Sequence, residues 1–117
     1  MPKELPTTAL VFLGGALGSG LRFSFGLQIE PLQLLFLVNL LGTLLLGVVN
    51  GKTWPSWVHP LVGTGVAGGF TTLSGLSLFL NEHLATDPLA TLVPIAVMFA
   101  LGFVAHWAGM KLAVIWR

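Results

Sequence analysis

Four long apolar stretches, separated by short polar breaks, constrain this chain more than any other feature. They run from about Thr7 to Leu27, Leu32 to Val49, Pro60 to Leu80 and Leu89 to Val114. A membrane-spanning helix needs roughly 20 apolar residues, so the pattern predicts four transmembrane helices. The strands of a membrane barrel would instead be segments of about ten residues with alternating hydrophobicity. We therefore predict an all-α membrane protein with a single four-helix domain over residues 1–117.

The low charge content agrees with a surface covered by membrane lipid. Only 8% of the residues are charged and 55% are hydrophobic, with a mean hydropathy of +0.92. A soluble domain carries about 25% charged residues. The formal net charge of +1 argues against nucleic-acid binding, and the absence of cysteine excludes disulfides and thiolate metal sites. The first stretch is too long and too rich in glycine for a cleaved signal peptide, so we expect a retained helix.

The distribution of basic residues predicts the orientation. Lys3, Lys52, Lys111 and Arg117 fall on the side shared by the termini and the second loop, whereas only Arg22 lies toward the other side. Lysine and arginine are enriched on the cytoplasmic side of membrane proteins. We therefore expect both termini in the cytoplasm and the chain in a plasma or inner membrane.

Small residues recur at helical spacing, as in the pairs Gly14 with Gly18 and Ala16 with Gly20. Such residues let helix backbones approach closely in lipid, and tight packing alone explains most of them. Glycine on several helices also indicates association with a second copy or a related chain.

The second stretch carries polar residues on one side. At 100° per residue, Asn39, Thr43 and Asn50 fall within about 40° of one another. An amide in hydrocarbon costs several kcal/mol unless it is hydrogen-bonded. Two interpretations stay open at this point: an interhelical hydrogen bond that fastens the bundle, or a row of donors lining a polar path.

The third stretch contains a run that is poorly suited to a helix centre. Gly68 and Gly69 are followed, after one residue, by the β-branched Thr71 and Thr72. Nearby hydroxyls can replace lost backbone hydrogen bonds, and freed carbonyls of broken membrane helices hold cations. We predict a break near the middle of the third helix; a simple kink beside a packing interface is the alternative.

Three motifs together resemble those of the Fluc/CrcB fluoride channels. The first helix reads GGALGSGLRF over residues 14–23, like the family's glycine-rich opening that ends in arginine and an aromatic residue. The second reads VNLLGTLLLG over residues 38–47, like Val-Asn-x-x-Gly-Ser/Thr-x-x-x-Gly. The third reads GGFTT over residues 68–72 with Ser74 after it, like Gly-Gly-x-Thr-Thr-Phe-Ser-Thr-Phe. Order, spacing and length are similar over nearly the whole chain.

The resemblance implies an antiparallel dimer of four-helix subunits with two fluoride pores along the interface. It implies a structural sodium ion (Na⁺) at that interface, held by the backbone carbonyls of Gly68 and Thr71. Asn39 matches the family's pore asparagine, Ser74 a serine of its polar track, and Arg22 its first-helix arginine, for which a snorkelling anchor is the alternative. The pore lining expected on this basis is Asn39, Thr43, Thr72, Leu73, Ser74 and Leu76.

The sequence departs from the family pattern at the pore. Leu73 and Leu76 stand where the family has two phenylalanines, whose positive ring edges face the ion. Gly75 stands where a threonine is usual, Leu35 where a threonine is often found, and Phe99 in place of a polar-track serine. Leucine preserves an apolar wall but presents no positive edge to an anion.

These departures and the charge bias predict half of a heterodimer. Subunits of an antiparallel homodimer must insert in both directions and so need little bias in Lys and Arg. We expect an inverted sister chain that keeps the phenylalanines, with one of the two pores degraded. A homodimer of unusual pore lining and a non-conducting partner subunit are the alternatives.

Other function classes fit less well. A small multidrug transporter needs an acidic residue inside its first helix, and none lies between Glu4 and Glu30. His59 and His83 lie in predicted loops, and we expect His106 to be an interhelical or interfacial residue. Since no metal-ligand spacing or nucleophile with a base can be identified, the sequence does not predict an enzyme.

Overall fold

The computed structural model describes residues 5–116, and within that range the regular structure is helical throughout. In this part of the chain, four helices are long and apolar enough to cross a membrane: Thr7–Gly26, Pro31–Asn50, His59–His83 and Pro88–Ile115. This confirms a multi-pass membrane protein. We name the first two α1 and α2 and the last α5. The third span consists of a π-helical segment (His59–Ala67), a short helix α3 (Gly68–Phe70) and a second half α4 (Leu73–His83).

Local sequence explains where the helices begin. Pro31 and Pro88 occupy the first positions of α2 and α5, where a missing N–H costs nothing. Asp87 caps α5, because its carboxylate accepts a hydrogen bond of 3.1 Å from the Ala90 N–H. Pro94 lies inside α5, yet the helix is not interrupted there and has 28 residues in all, as membrane helices with an internal proline often do.

Glycines set two close helix contacts. A Cβ added at Gly14 of α1 would overlap the backbone at Leu61 and Gly65 in the π-helical segment. Gly47 of α2 and Gly109 of α5 likewise face each other's helix backbone, so α2 packs on α5 at short range. The predicted role of small residues in helix packing is therefore confirmed at Gly14, whereas a Cβ added at Gly20 would meet nothing within 4 Å.

The apolar core lies where α2, α4 and α5 meet. Leu35, Leu76, Ile95 and Met98 form one buried cluster, with residues from all three helices. This cluster lies between the break and the Glu30 end of the bundle, so it supports α4 directly below the break. The second half of the third span is thus attached to α2 and α5 by side chains.

The predicted break is present, and it falls at Thr71 and Thr72, between α3 and α4. The sequence did not predict the π-helical form of the preceding nine residues. That segment contains Gly63 and Gly65, both buried, and Gly65 lies against Gly14 of α1. π-Helical turns in proteins often occur at functional sites.

Candidate functional site

Two extended residues interrupt the third span. Thr71 has φ −76° and ψ 158°, and Thr72 has φ −145° and ψ 117°. The Thr72 hydroxyl accepts a hydrogen bond of 2.9 Å from the Gly75 N–H and so caps α4. One helix therefore ends and another begins within two residues. This places a helix C-terminus and a helix N-terminus in the middle of a membrane span.

Asn39 of α2 joins this break through both ends of its amide. Its Oδ1 accepts from the Thr72 N–H at 2.8 Å, and its Nδ2 donates to the Thr72 carbonyl at 3.3 Å. Nδ2 also lies 3.5 Å from the Met98 sulfur. Thr43, one turn further along α2, donates to the Asn39 carbonyl at 2.6 Å. Asn39 and Thr43 thus lie together, as expected from their predicted position on one side of α2.

The backbone carbonyls at the end of α3 differ in the number of hydrogen bonds that they accept. The Ala67 carbonyl accepts from the N–H and the hydroxyl of Thr71, both at 3.0 Å. The Gly68 carbonyl lies 3.5 Å from the same hydroxyl, and the Thr72 N–H that would complete its helical bond goes to Asn39 instead. Gly68 therefore retains capacity to accept.

Arg22 also contacts this helix end. Its Nε donates to the Gly69 carbonyl at 3.2 Å, and Ser19 Oγ lies 3.4 Å from the same oxygen. Arginine beside a helix C-terminus is electrostatically favourable. Arg22 is thus tied to the break on the α1 side, which is a more specific placement than a side chain extended toward the membrane interface.

An open groove of about 940 Å³ runs between α2, the third span and α5. Its wall is mostly apolar. Seven of the predicted site residues line it: Asn39, Thr43, Gly68, Thr71, Thr72, Leu73 and Leu76. Ser74 and Arg22 are not among the residues lining the groove. Ser74 is exposed elsewhere on α4, with its Oγ 3.2 Å from the Thr72 hydroxyl.

The two leucines at the phenylalanine positions have different environments. Leu73 is 73% exposed at the start of α4, whereas Leu76 is 6% exposed and belongs to the core cluster. Both contribute to the groove wall. Leu73 can therefore face a partner or an ion, while most of Leu76 is occupied by packing.

Sequence reasoning missed some groove residues. Thr64, one of them, is exposed. Thr64, Gly68 and Thr71 are spaced by four and three residues, so a search for polar groups at helical spacing in the third span would have found it. Phe99 of α5 lines the same groove, although the sequence marked it only as a departure from the family pattern.

His106 of α5 lies on the groove at its other end. Its Nε2 is 3.2 Å from Asn50 Nδ2 of α2, which is the interhelical contact predicted for this histidine. Asn50 therefore uses its amide to join α2 and α5, while Asn39 on the same helix joins the break. Both amides thus make interhelical contacts, and a row of donors lining a polar path stays a prediction.

Charged groups are divided between the two ends of the bundle. Lys52 lies beside α5, where its Nζ donates to the Trp116 carbonyl and stands 4.2 Å from the centre of the Trp54 ring. Lys111 lies on the last turns of the same helix. Among the described residues, the acidic ones lie at the opposite end: Glu30 and Asp87 in the two connections and Glu82 in the last turn of α4. Lys3 and Arg117, also used in the prediction of orientation, lie outside the described residues.

Comparisons with known proteins agree with the predicted family. The family model described as "CrcB-like protein, Camphor Resistance (CrcB)" matches residues 9–110. The chain is 34% identical over 111 residues to "Fluoride-specific ion channel FluC 2" of Rhodococcus jostii (strain RHA1), covering 91% of this chain and 97% of that protein. It is 37% identical to "Fluoride-specific ion channel FluC 1" of the same organism, over 83% of this chain and 82% of that one.

A third relative, "Fluoride-specific ion channel FluC 2" of Bacillus subtilis (strain 168), is 37% identical over 107 residues, covering 86% of this chain and 82% of that protein. No solved structure matches the chain at a significant level. The family model covers the three motifs, the break and the groove. The chain therefore belongs to the CrcB family.

Proposed function

We propose that this chain is a subunit of a fluoride-specific channel through which fluoride leaves the cell passively, and that it is not an enzyme. The observation that carries the proposal is the groove at a broken membrane helix, in a chain whose relatives are named fluoride-specific ion channels. Membership of the CrcB family removes the small multidrug transporter as a rival.

The chemistry of the groove suits a small anion. Fluoride is strongly hydrated, so a pore must replace its water with hydrogen-bond donors. The N-terminus of α4 begins at the break, and the positive end of its dipole favours negative charge. Hydroxyls of Thr43 and Thr72 stand nearby on the groove. We assign the pore wall to Asn39, Thr43, Thr72, Leu73 and Leu76, with Ser74 next to the Thr72 hydroxyl and Arg22 bonded to the Gly69 carbonyl.

A sodium ion at the break is part of the proposal. Sodium ions prefer oxygen ligands, and the Gly68 carbonyl lacks its helical donor because the Thr72 N–H bonds to Asn39. Gly68 is exposed, and a Cβ built on it would meet nothing within 4 Å. The extended Thr71 follows the same helix end. Gly68 and Thr71 could therefore supply carbonyls to Na⁺ from an accessible face, where its charge would offset that of the anion.

The partner is an antiparallel second subunit that covers the groove. We propose a sister chain with phenylalanine where this one has Leu73 and Leu76, which makes the channel a heterodimer. The separation of Lys52 and Lys111 from the acidic end supports a single orientation for this chain. Rhodococcus jostii has two such relatives, numbered 1 and 2. A homodimer of this chain is the second candidate, since Leu73 is exposed and able to line a pore.

The same charge separation supports the proposed location. The first and last described helices begin and end at the lysine end, because α1 begins near the π-helical segment and α5 ends beside Lys52. We place this end in the cytoplasm and the protein in the plasma or inner membrane.

Fluoride efflux from liposomes tests the function. The purified chain is reconstituted alone, together with its sister chain, and as the sister chain alone, and external fluoride is followed with an ion-selective electrode. A heterodimer predicts rapid efflux only when both chains are present. Efflux from this chain alone would support the homodimer. If fluoride stays inside in all three preparations, the fluoride assignment is wrong.

A further inference from the structure

We propose that Asn39 is a positioning residue, whose side chain holds the Thr72 peptide and so determines where α4 begins, instead of acting as a ligand of the permeating ion. The inference rests on the proposed function only in its reference to that ion. Its structural part concerns the break itself and is testable without transport.

The amide of Asn39 is already occupied. Oδ1 accepts from the Thr72 N–H at 2.8 Å, and Nδ2 donates to the Thr72 carbonyl at 3.3 Å. One side chain therefore pairs with both polar groups of one extended residue, as a neighbouring strand would. Nδ2 also lies within 3.5 Å of the Met98 sulfur, a weak acceptor. With its acceptor and both donor directions in use, the amide has no free N–H to offer an ion.

The part of α2 that carries Asn39 is held in place by packing. Val38, the preceding residue, is completely buried, with an exposed fraction of 0%. The Asn39 carbonyl accepts from Thr43 at 2.6 Å, and Gly42 of the same helix lies against the side chain of Thr71. The distance from α2 to the break is thus set by packing on both sides of Asn39, and its amide holds Thr72 at that distance.

The pairing explains why the third span breaks at this residue. In a continuous helix the Thr72 N–H would bond to the Gly68 carbonyl. Asn39 takes that N–H, which leaves the Gly68 carbonyl able to accept, and it keeps Thr72 extended. The Thr72 hydroxyl is then placed to cap α4 through the Gly75 N–H at 2.9 Å. One amide therefore maintains both the free carbonyl and the start of the next helix.

Thiol labelling tests this role directly, because the natural chain contains no cysteine. Leu73→Cys places a single reporter at the exposed first residue of α4. The full chain, with its sister chain where efflux requires both, is reconstituted in liposomes and treated with a water-soluble maleimide. The labelling rate reports how the start of α4 is held, and fluoride efflux is measured on matching preparations that keep Leu73.

Asn39→Leu in this background removes both hydrogen bonds at similar volume. We expect the labelling rate at position 73 to change at least about fivefold, because the start of α4 is no longer held in place beside α2. Asn39→Asp keeps an acceptor for the Thr72 N–H, so its rate should lie between those of the parent and Asn39→Leu. Asn50→Ala is the matched control: it removes an amide from the same helix, but one that bonds to His106, so labelling should stay within about twofold.

Two results would overturn the proposal. The first is a loss of fluoride efflux in Asn39→Leu with labelling unchanged, which would make Asn39 an ion ligand. The second concerns the case in which Asn39→Leu does not fold. Asn39→Asp must then alter the labelling rate by at least about twofold, and an unchanged rate would refute the positioning role of Asn39. If the chain that keeps Leu73 gave no efflux, the proposed function would be refuted and the labelling comparison would stay intact.

Discussion

The two halves of the third span are held in the bundle by different means. The π-helical segment and α3 pack backbone to backbone on α1, with Gly65 against Gly14 and Phe70 against Gly18. The second half, α4, is held by side chains: Leu76 in the apolar core and the Thr72 cap at its start. The break lies where one kind of attachment changes to the other.

This difference indicates which half can adapt. Backbone contacts between glycines leave no side chain that could move aside, so the first half is fixed relative to α1. Side-chain contacts can be weakened step by step, so the position of α4 depends on a few separable interactions. The polar groups of the groove are concentrated at the junction, where a fixed helix end faces an adjustable one.

The largest effect is expected from Gly14→Ala. The new methyl group would overlap the Leu61 carbonyl and lie 2.8 Å from Gly65 Cα, both of them backbone atoms that cannot rotate away. We expect destabilisation of more than about 3 kcal/mol, above the usual cost of overpacking, and loss of the monodisperse peak in size-exclusion chromatography. Gly20→Ala on the same helix, where a Cβ meets nothing within 4 Å, is the control. Equal behaviour of both variants would contradict the fixed attachment of the first half.

Leu76→Ala should have an intermediate effect on the second half. Its side chain is 6% exposed among Leu35, Ile95 and Met98, so truncation leaves a cavity. The expected loss of stability lies toward the lower end of about 2–5 kcal/mol, measured as a lower melting temperature in detergent. Leu78→Ala, at 58% exposure on the same helix, should cost less than about 1 kcal/mol. Similar losses in both would show that α4 is not held by the core cluster.

The smallest effect is expected from Thr72→Val. The change keeps the side-chain shape but removes the hydroxyl that accepts from the Gly75 N–H at 2.9 Å. Loss of an N-cap costs about 1 kcal/mol, so thermal melting should shift only slightly. Ser77→Ala, on the exposed face of α4, should change stability by less than about 0.5 kcal/mol. A loss of stability as large as that of Leu76→Ala would mean that the Thr72 cap, and not the apolar core, holds α4 in the bundle.

Much of the candidate site could be predicted because it belongs to local motifs. The residues around Asn39 and those around Gly68 are each contiguous in the chain, and the resemblance to the family placed both on one pore. The groove brings most of them together. The direction of Ser74, on the contrary, depends on how α4 restarts after two extended residues, and a helical projection through the break cannot give it.

The sequence by itself determined the four spans, their approximate ends and the presence of a break. Hydropathy over about 20 residues and the mixture of glycine with β-branched residues are local properties of the chain. Each span lies in lipid regardless of which helix packs beside it, so these properties do not depend on the tertiary structure. Only the tertiary structure decided that Asn39 pairs with Thr72, that Arg22 binds the Gly69 carbonyl, and that Leu76 is buried while Leu73 is exposed. Those contacts join residues 33 and 47 positions apart, and their existence depends on the distance at which glycine-lined helices pack.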